Sequence, residues 1–142
     1  MTFHTRVSDF QTQSTAIRDV RTDVFVREQA IPLELEYDEH DLTCTHAVVY
    51  DGLKPVATGR LDFQQHGRIG RVAVLESYRR RGLGTLVMQA LEEVARSGKA
   101  DQLWFHAQIS AVPFYLSLGY SVVGDEFMEA DIPHVSMEKQ LA

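Results

Sequence analysis

The chain has 142 residues, and at about 150 residues per domain it is expected to form one domain, residues 1–142. Hydrophobic residues make up 44% of the composition, an ordinary share for a globular protein with its own core. The only cysteine, Cys44, excludes a framework of intramolecular disulfide bonds and cannot form a thiolate metal site alone. Fourteen Lys and Arg residues against twenty Asp and Glu residues leave a net charge of −6, the wrong sign for a protein whose whole surface binds nucleic acid.

The charges are unevenly distributed along the chain. Residues 28–51, the acidic segment, contain seven acidic residues and no Lys or Arg, whereas residues 60–81, the basic band, contain six arginines and two acidic residues. Residues 125–138 are again acidic. This pattern favours an anionic ligand at the basic band and a cationic ligand at the acidic residues; the alternative is that all three are only solvated surfaces.

Hydrophobic periodicity and turn residues predict the secondary structure in chain order. The elements are a strand at Thr2–Asp9, a helix over residues 14–29, an irregular acidic stretch at Pro32–Asp41, two strands over residues 44–63 joined at Asp51-Gly52, a strand at Arg68–Val74, a helix at Gly82–Ser97, a strand at Leu103–Ala107, a helix at Ala111–Leu118, and strands at Tyr120–Val123 and Val135–Lys139. This order predicts an α+β fold with a mixed sheet, in which a helix connects one parallel pair of strands. Residues 1–13 contain no long apolar run, so we expect no targeting segment, no membrane contact and a cytoplasmic location.

The stretch Arg79–Thr85 is the strongest indication of a binding site. It follows a predicted strand and opens a predicted helix, and its glycines let the backbone approach a ligand. Unpaired amides at a helix start bind phosphate together with the positive end of the helix dipole, so the stretch predicts a pyrophosphate site. A dinucleotide fingerprint is excluded because Val87 stands where its third glycine would be, and a P-loop is excluded because no lysine lies near the turn.

Two motifs resemble those of a known family. Arg79-x-x-Gly82-x-Gly84, preceded by Val72-Ala73-Val74, is similar to the acyl-coenzyme A loop of the GCN5-related N-acetyltransferases (GNAT), and AVPFYLSLGY at Ala111–Tyr120 is similar to their second signature. Other segments resemble the small ElaA/YjcF-like branch of the family: FVREQAIP at Phe25–Pro32, His46, His106-Ala107-Gln108 and Ile132-Pro133-His134. Two residues depart from the family pattern, Glu76 at a common proline position and Arg80 at a common glycine position.

The resemblance implies an acyl-CoA N-acyltransferase fold, with a central mixed, mostly antiparallel sheet that is splayed between two parallel strands and flanked by helices. It also implies that acetyl-coenzyme A (acetyl-CoA) is the co-substrate and that no metal is needed. The implied coenzyme-binding residues are Val72, Ala73, Val74, Arg79, Arg80, Arg81, Gly82, Leu83, Gly84 and Thr85. Backbone groups of Val72 and Val74 would pair with the pantetheine arm, the amides from Arg80 to Thr85 would bind the pyrophosphate, and the Val74 amide would stabilise the thioester oxyanion.

Acetyl transfer to an amine requires that a proton is removed from the amine and that a proton donor assists the leaving thiolate. A lysine-like amine with a pKa of about 10.4 is neutral in only about one molecule in 2,500 at pH 7, so a base must accept its proton. The leaving thiolate needs a donor, and the resemblance implies that Tyr115 is this general acid; the alternative is a tyrosine that only packs on the sheet. For the base we favour His106, at the end of a strand expected to flank the splay, although a histidine there is as often structural. Glu28, Glu129 and His134, on the expected substrate side, are the alternatives.

These features predict an N-acetyltransferase that moves an acetyl group from acetyl-CoA to a primary amine by direct transfer in a ternary complex. The alternative is a non-catalytic domain that binds or senses acyl-CoA. The acceptor would be a small-molecule or peptide amine, and the acidic residues favour a cationic one such as a lysine, a polyamine or an aminosugar. We expect no nucleic-acid partner. Dimers are common in the resembled family, so a homodimer is one expected state.

Two other groups of polar residues carry weaker indications. The acidic segment holds a cluster without the spacing of known metal motifs, so a solvated loop is favoured there; its residues are Glu36, Asp38, His40, Asp41 and His46. Cys44 lies two residues before His46, but no group that would orient a nucleophile is evident. A buried core thiol is therefore expected.

Overall fold

The computed structural model describes residues 2–141, and its centre is one seven-stranded sheet. The strands are β1 (Phe3–Ser8), β2 (Thr45–Asp51), β3 (Lys54–Asp62), β4 (Arg68–Val74), β5 (Gln102–Gln108), β6 (Ser121–Glu129) and β7 (Ile132–Gln140). They lie in the order β1-β2-β3-β4-β5-β7-β6, and neighbours are antiparallel except for the parallel pair β4 and β5. The predicted fold class is thus confirmed.

The helices differ from the prediction mainly in their ends. They are α1 (Ser14–Arg21), which continues as a π-helical turn at Thr22–Glu28, α2 (Leu33–Glu36), α3 (Leu83–Ser97) and α4 (Val112–Ser117). The stretch expected to be irregular contains α2 and most of a 3-10 turn at Glu39–Leu42. Among the described residues, no helix is long and apolar enough to cross a membrane.

The two long helices cover opposite faces of the sheet because side chains of a strand alternate between its faces. On β2, Ala47 and Val49 belong to the buried cluster of α3, whereas Val48 packs with Ile17 of α1. Gly59 on β3 allows α3 to approach closely, since a Cβ there would lie 2.7 Å from Val87 Cγ1. The core therefore fixes α3, and with it the loop before α3, against the centre of the sheet.

The parallel strands separate soon after they meet. β4 and β5 are paired at one position, Arg68 with Trp104, and the Trp104 amide donates to the Gly67 carbonyl at 3.1 Å. Beyond this junction a bulge in β4 places Arg71 at a φ of +53°, and bulges bend and twist the strand that carries them. The sheet is therefore splayed between β4 and β5, as the family resemblance implied.

Candidate functional site: a groove between β4 and β5

A groove of about 1340 Å³ occupies the splay between β4 and β5. Its walls include Val72, Ala73 and Val74 of β4 and His106 of β5. The start of α3 lies at one end, and α4 contributes Tyr115. The structure thus brings the implied coenzyme loop and both catalytic candidates to one cavity.

The start of α3 has the features of an anion-binding site. Gly82 is its N-cap with a φ of +79°, and no side chain caps the helix. The first intrahelical bond there runs from the Leu86 amide to the Gly82 carbonyl, so the amides of residues 83–85 have no partner within the helix. Arg80 also has a positive φ, +65°, a conformation that glycine adopts more easily. This explains why the family commonly has glycine at this position, and Arg80 adopts the same backbone conformation.

Arg79 braces the loop through an ion pair and a hydrogen bond to the backbone. Its two terminal nitrogens each lie 2.6 Å from a carboxylate oxygen of Glu28, and its Nε donates to the Val74 carbonyl at 3.1 Å. The hydrogen bonds from Arg79 lower the pKa of Glu28. Glu28, an alternative for the base, is therefore held as an ion-paired carboxylate beside the coenzyme loop.

The Val74 amide points into the groove. Val74 lies opposite Ala57 of β3, and the Leu75 amide donates to the Val56 carbonyl at 2.9 Å. In an antiparallel pair this makes Val74 and Ala57 a non-hydrogen-bonded pair, whose peptide groups point away from each other. The orientation fits the oxyanion donor that the resemblance implied.

Tyr115 is buried in an aromatic cluster at the groove. Its side chain packs against Phe105, Phe114 and Tyr120, and the residue is only 8% exposed. Burial raises the pKa of Tyr115 to about 12, because the charged phenolate is poorly solvated there. At neutral pH the hydroxyl therefore keeps its proton and is available as a hydrogen-bond donor.

His106, Glu129 and His134 form one cluster, which we call the His–Glu–His cluster. His106 Nδ1 lies 2.9 Å from Glu129 Oε1, and His134 Nε2 lies 3.5 Å from Glu129 Oε2. The structure thus unites three residues that the sequence offered as separate candidates. Glu129 lies at the end of β6, beyond a bulge in which residues 124–126 lie opposite a single residue of β7.

The Glu129 carboxylate fixes the tautomer of His106. Burial by itself would raise the pKa of Glu129, but the hydrogen bond from His106 and the charges of His106, His134 and Arg68 hold it below its usual value. An ionised carboxylate only accepts hydrogen bonds, so His106 Nδ1 carries a proton, and the neutral imidazole therefore has its lone pair on Nε2. His134 is held differently, with Nδ1 2.6 Å from the Ile132 carbonyl oxygen.

An arginine–carboxylate network links the acidic segment to the basic band, a feature that the sequence analysis missed. Its members are Arg21, Glu36, Asp38, Asp41, Arg60 and Arg71. Arg21 is 1% exposed and bonds both Glu36 and Asp41 at 2.6 Å. The acidic segment and the basic band are the sequence signal for this network, but the charge pattern was interpreted as a separate ligand site at each of them. These carboxylates are compensated within the protein, so they do not form the solvated loop that was expected.

Cys44 and His46 take structural positions. Burial raises the pKa of the Cys44 thiol to about 12, so the sulfur stays protonated and is a poor nucleophile. His46 is buried, and its Nε2 lies 2.9 Å from the Asp41 carbonyl oxygen. Both residues help to pack the segment that carries the arginine–carboxylate network.

Comparison with known proteins agrees with this geometry. A family model for the acetyltransferase (GNAT) domain matches residues 9–141. The Bacillus subtilis protein described as the uncharacterized N-acetyltransferase YjcF is 46% identical over 122 residues, which are 84% of this chain and 87% of that protein. The crystal structure of Escherichia coli ElaA has a TM-score of 0.88 at 27% identity, over 97% of this chain and 99% of its own. An acyl-CoA N-acyltransferase from Pseudomonas aeruginosa has a TM-score of 0.86 at 28% identity, with the same two coverages. The loop, the splayed sheet and these matches together place this chain in the GNAT family of acetyltransferases.

Proposed function

We propose that the protein transfers an acetyl group from acetyl-CoA directly to a primary amine in a ternary complex. The observation that carries the proposal is the single groove, which joins unpaired amides at the start of α3 to Tyr115 and His106. The pyrophosphate would bind the amides of residues 83–85, with Arg80 and Arg81 beside them. Val72 to Val74 would bind the pantetheine arm along the exposed edge of β4.

His106 is the base in this proposal. Its Nε2 lone pair accepts the amine proton, and Glu129 stabilises the imidazolium that forms by accepting from Nδ1. A carboxylate that orients a histidine and balances its charge recurs in general-base catalysis. His134 also has its Nδ1 bonded, to the Ile132 carbonyl oxygen, but its Nε2 lies 3.5 Å from Glu129 Oε2. The nitrogen that would act as the base is thus directed at a carboxylate, and His134 is the less suitable of the two histidines.

Val74 and Tyr115 stabilise the charges that develop during transfer. The Val74 amide donates to the thioester oxygen as it becomes an oxyanion. The pKa of Tyr115, about 12, lies above the value of about 8.5 that is typical of a thiol. Full proton transfer to the leaving thiolate would therefore be unfavourable. We therefore propose that Tyr115 donates a hydrogen bond to the leaving sulfur and does not transfer its proton completely, as the general acid implied by the resemblance would.

Direct transfer is favoured over an acetylated enzyme. The chain has one cysteine, and Cys44 is buried, with a raised pKa, and does not line the groove. Attack by the bound amine on the thioester needs no protein nucleophile, only a base, an oxyanion donor and a donor to sulfur.

The test is release of free thiol from acetyl-CoA by the intact protein with a panel of amines, together with calorimetry of coenzyme A binding. Amine-dependent thiol release with acetylated amine as product is the expected result. Coenzyme binding without release for any amine would contradict the proposal and support the acyl-CoA sensing alternative. The single-domain organisation, the cytoplasmic location and the homodimer stay predictions.

A further inference from the structure

Two of the arginines that line the groove have no carboxylate within 4 Å among residues 2–141. Arg60, Arg71 and Arg79 each pair with acidic side chains of the acidic segment. Arg80 is exposed in the loop that would bind pyrophosphate, where an uncompensated cation is expected. Arg68 lies at the other end of the groove, half-buried at the junction of β4 and β5.

The Arg68 guanidinium is held in place without an anion. Its Cζ lies 5.0 Å from the centroid of the Trp104 ring, and the Trp104 Nε1 donates to the Gln65 carbonyl at 2.8 Å. Its terminal nitrogens lie 3.4 Å from Gln65 Oε1 and 3.3 Å from His106 Nδ1. Stacking on an indole fixes the plane of a guanidinium and leaves its N–H edge available to a ligand.

The contact of Arg68 with His106 is not a satisfied hydrogen bond. His106 Nδ1 carries the proton that it donates to Glu129, so this nitrogen has no lone pair for Arg68. The Arg68 charge helps to lower the pKa of Glu129, but Glu129 bonds His106 and forms no ion pair with Arg68 within 4 Å. Gln65 accepts from one terminal nitrogen of the guanidinium, so the other is left to donate to a ligand in the groove, and a charged acceptor makes the stronger hydrogen bond.

The acidic segment offers no comparable cluster of uncompensated charge for a purely cationic acceptor. Glu28 pairs with Arg79, and Glu36, Asp38 and Asp41 belong to the arginine–carboxylate network. The negative charge that favoured a polyamine in the sequence is therefore balanced by arginines in the fold. The cation left for a ligand at this end of the groove is Arg68.

We infer that Arg68 binds a carboxylate of the acceptor, so that the acceptor is an amino acid or a similar amine that carries a carboxylate. This inference rests on the proposed function. A planar carboxylate matches the edge of one guanidinium, whereas the neighbouring Glu129 would repel a phosphate dianion more strongly. Because Arg68 and His106 are adjacent, the carboxylate and the reacting amine are only a few bonds apart in the acceptor.

The experiment measures acetyl transfer to a panel of free amino acids, each compared with its own carboxamide, with spermidine as a cationic acceptor. For the preferred amino acid, kcat/KM should exceed that of the carboxamide at least about tenfold, since hydrogen bonds to charged groups are the stronger ones. Arg68→Gln should remove this preference, mainly through the KM of the acid. The kcat/KM of the carboxamide should fall less than that of the acid, so the ratio of the two is the readout.

Two further variants separate a bound carboxylate from a general loss of structure. Arg68→Lys keeps the charge but not the planar edge, so it should retain only part of the preference. Arg27→Gln removes an exposed arginine that pairs with Asp23 outside the groove and should leave the preference unchanged. Equal kcat/KM for acid and carboxamide in the unmodified protein, or a preference that survives Arg68→Gln, would overturn the inference while the proposed function stands.

If the proposed function is wrong, no amine will support thiol release, and this result is distinct from a missing preference for the acid. In that case the coenzyme A complex is titrated calorimetrically with the same acids and carboxamides. Binding of an acid that is lost in Arg68→Gln would support the carboxylate site. Equal heats for acid and carboxamide would overturn it.

Discussion

Tyr115 and Tyr120 share one aromatic cluster, but only Tyr115 lines the groove. Tyr115→Phe removes the hydroxyl proposed to donate to the leaving sulfur, so kcat should fall by about 100-fold. The affinity for coenzyme A, measured by calorimetry, should stay within about twofold, because the ring and its packing are kept. Equal turnover of Tyr115→Phe and the unmodified protein would remove Tyr115 from the mechanism.

Tyr120→Phe is the matched control. The Tyr120 hydroxyl is buried without a hydrogen-bond partner in the described part of the chain, and an unsatisfied buried hydroxyl lowers stability. Its removal should raise the free energy of unfolding by about 1 kcal/mol, as measured by urea denaturation, and leave kcat unchanged. A large fall in kcat would show that the cluster, and not the Tyr115 hydroxyl, matters for turnover.

His106→Ala removes the proposed base, and Glu129→Gln keeps the base but removes the carboxylate that fixes its tautomer. His106→Ala should lower kcat by about 100-fold or more and abolish the rising limb of the pH–rate profile that belongs to the base. Glu129→Gln should lower kcat less, since His106 is kept and only the carboxylate that orients it and balances the charge of the imidazolium is lost. Profiles of kcat against pH test both; an unaltered profile in His106→Ala would assign the proton transfer to another group or to solvent.

At the scale of elements, the loop before α3 depends on Gly82. Gly82→Asp places a negative charge beside the unpaired amides, where the pyrophosphate would bind, and should lower the affinity for coenzyme A at least about 100-fold. Gly52→Asp is a close control, because Gly52 and Gly82 both have a positive φ and open space where a Cβ would lie. Each substitution carries about 1 kcal/mol of backbone strain, but Gly52 lies in the β2–β3 turn. Calorimetry should show normal affinity in Gly52→Asp, and normal affinity in Gly82→Asp would refute the loop assignment.

At the scale of the whole molecule, the arginine–carboxylate network joins α1 and the acidic segment to β3 and β4. For Asp38, burial would raise the pKa, but the hydrogen bonds and charge of Arg60, with the charge of Arg71, lower it to about 2 from 3.8. The folded chain therefore binds fewer protons at this group than the unfolded chain as the pH falls. The stabilisation from Asp38 is complete above the unfolded pKa and is lost between about pH 4 and pH 2.

Asp38→Asn should consequently be less stable than the unmodified protein at pH 7 and lose less stability between about pH 4 and pH 2. Urea denaturation at a series of pH values measures both effects. Asp23→Asn removes an exposed ion pair with Arg27 and should change the free energy of unfolding by less than about 0.5 kcal/mol. Parallel pH dependences for Asp38→Asn and the unmodified protein would contradict the role given to Asp38.

Much of the fold follows from local sequence patterns. Alternating apolar residues and a turn at Gly52 predict the β2–β3 hairpin, and the bounds of β4 are those predicted. The glycines and arginines before α3 likewise predict the coenzyme loop. β6 was predicted too short, because a bulge at residues 124–126 interrupts the alternation on which the prediction relied.

The sequence by itself determined the family, most of the strands and helices and the glycine-rich turn that opens α3, because dihedral preference and capping act between near neighbours in the chain. That this turn binds the coenzyme stays a prediction. Only the tertiary structure decided how the charges are paired. Arg79 meets Glu28 from 51 residues away, and His106 meets Glu129 from 23 residues away. Such pairs depend on the strand order and on the positions of the bulges, and neither follows from charge patterns along the chain. For that reason the acidic and basic runs, which suggested two ligands, largely neutralise each other in the fold and leave Arg68 as the cation available to an acceptor.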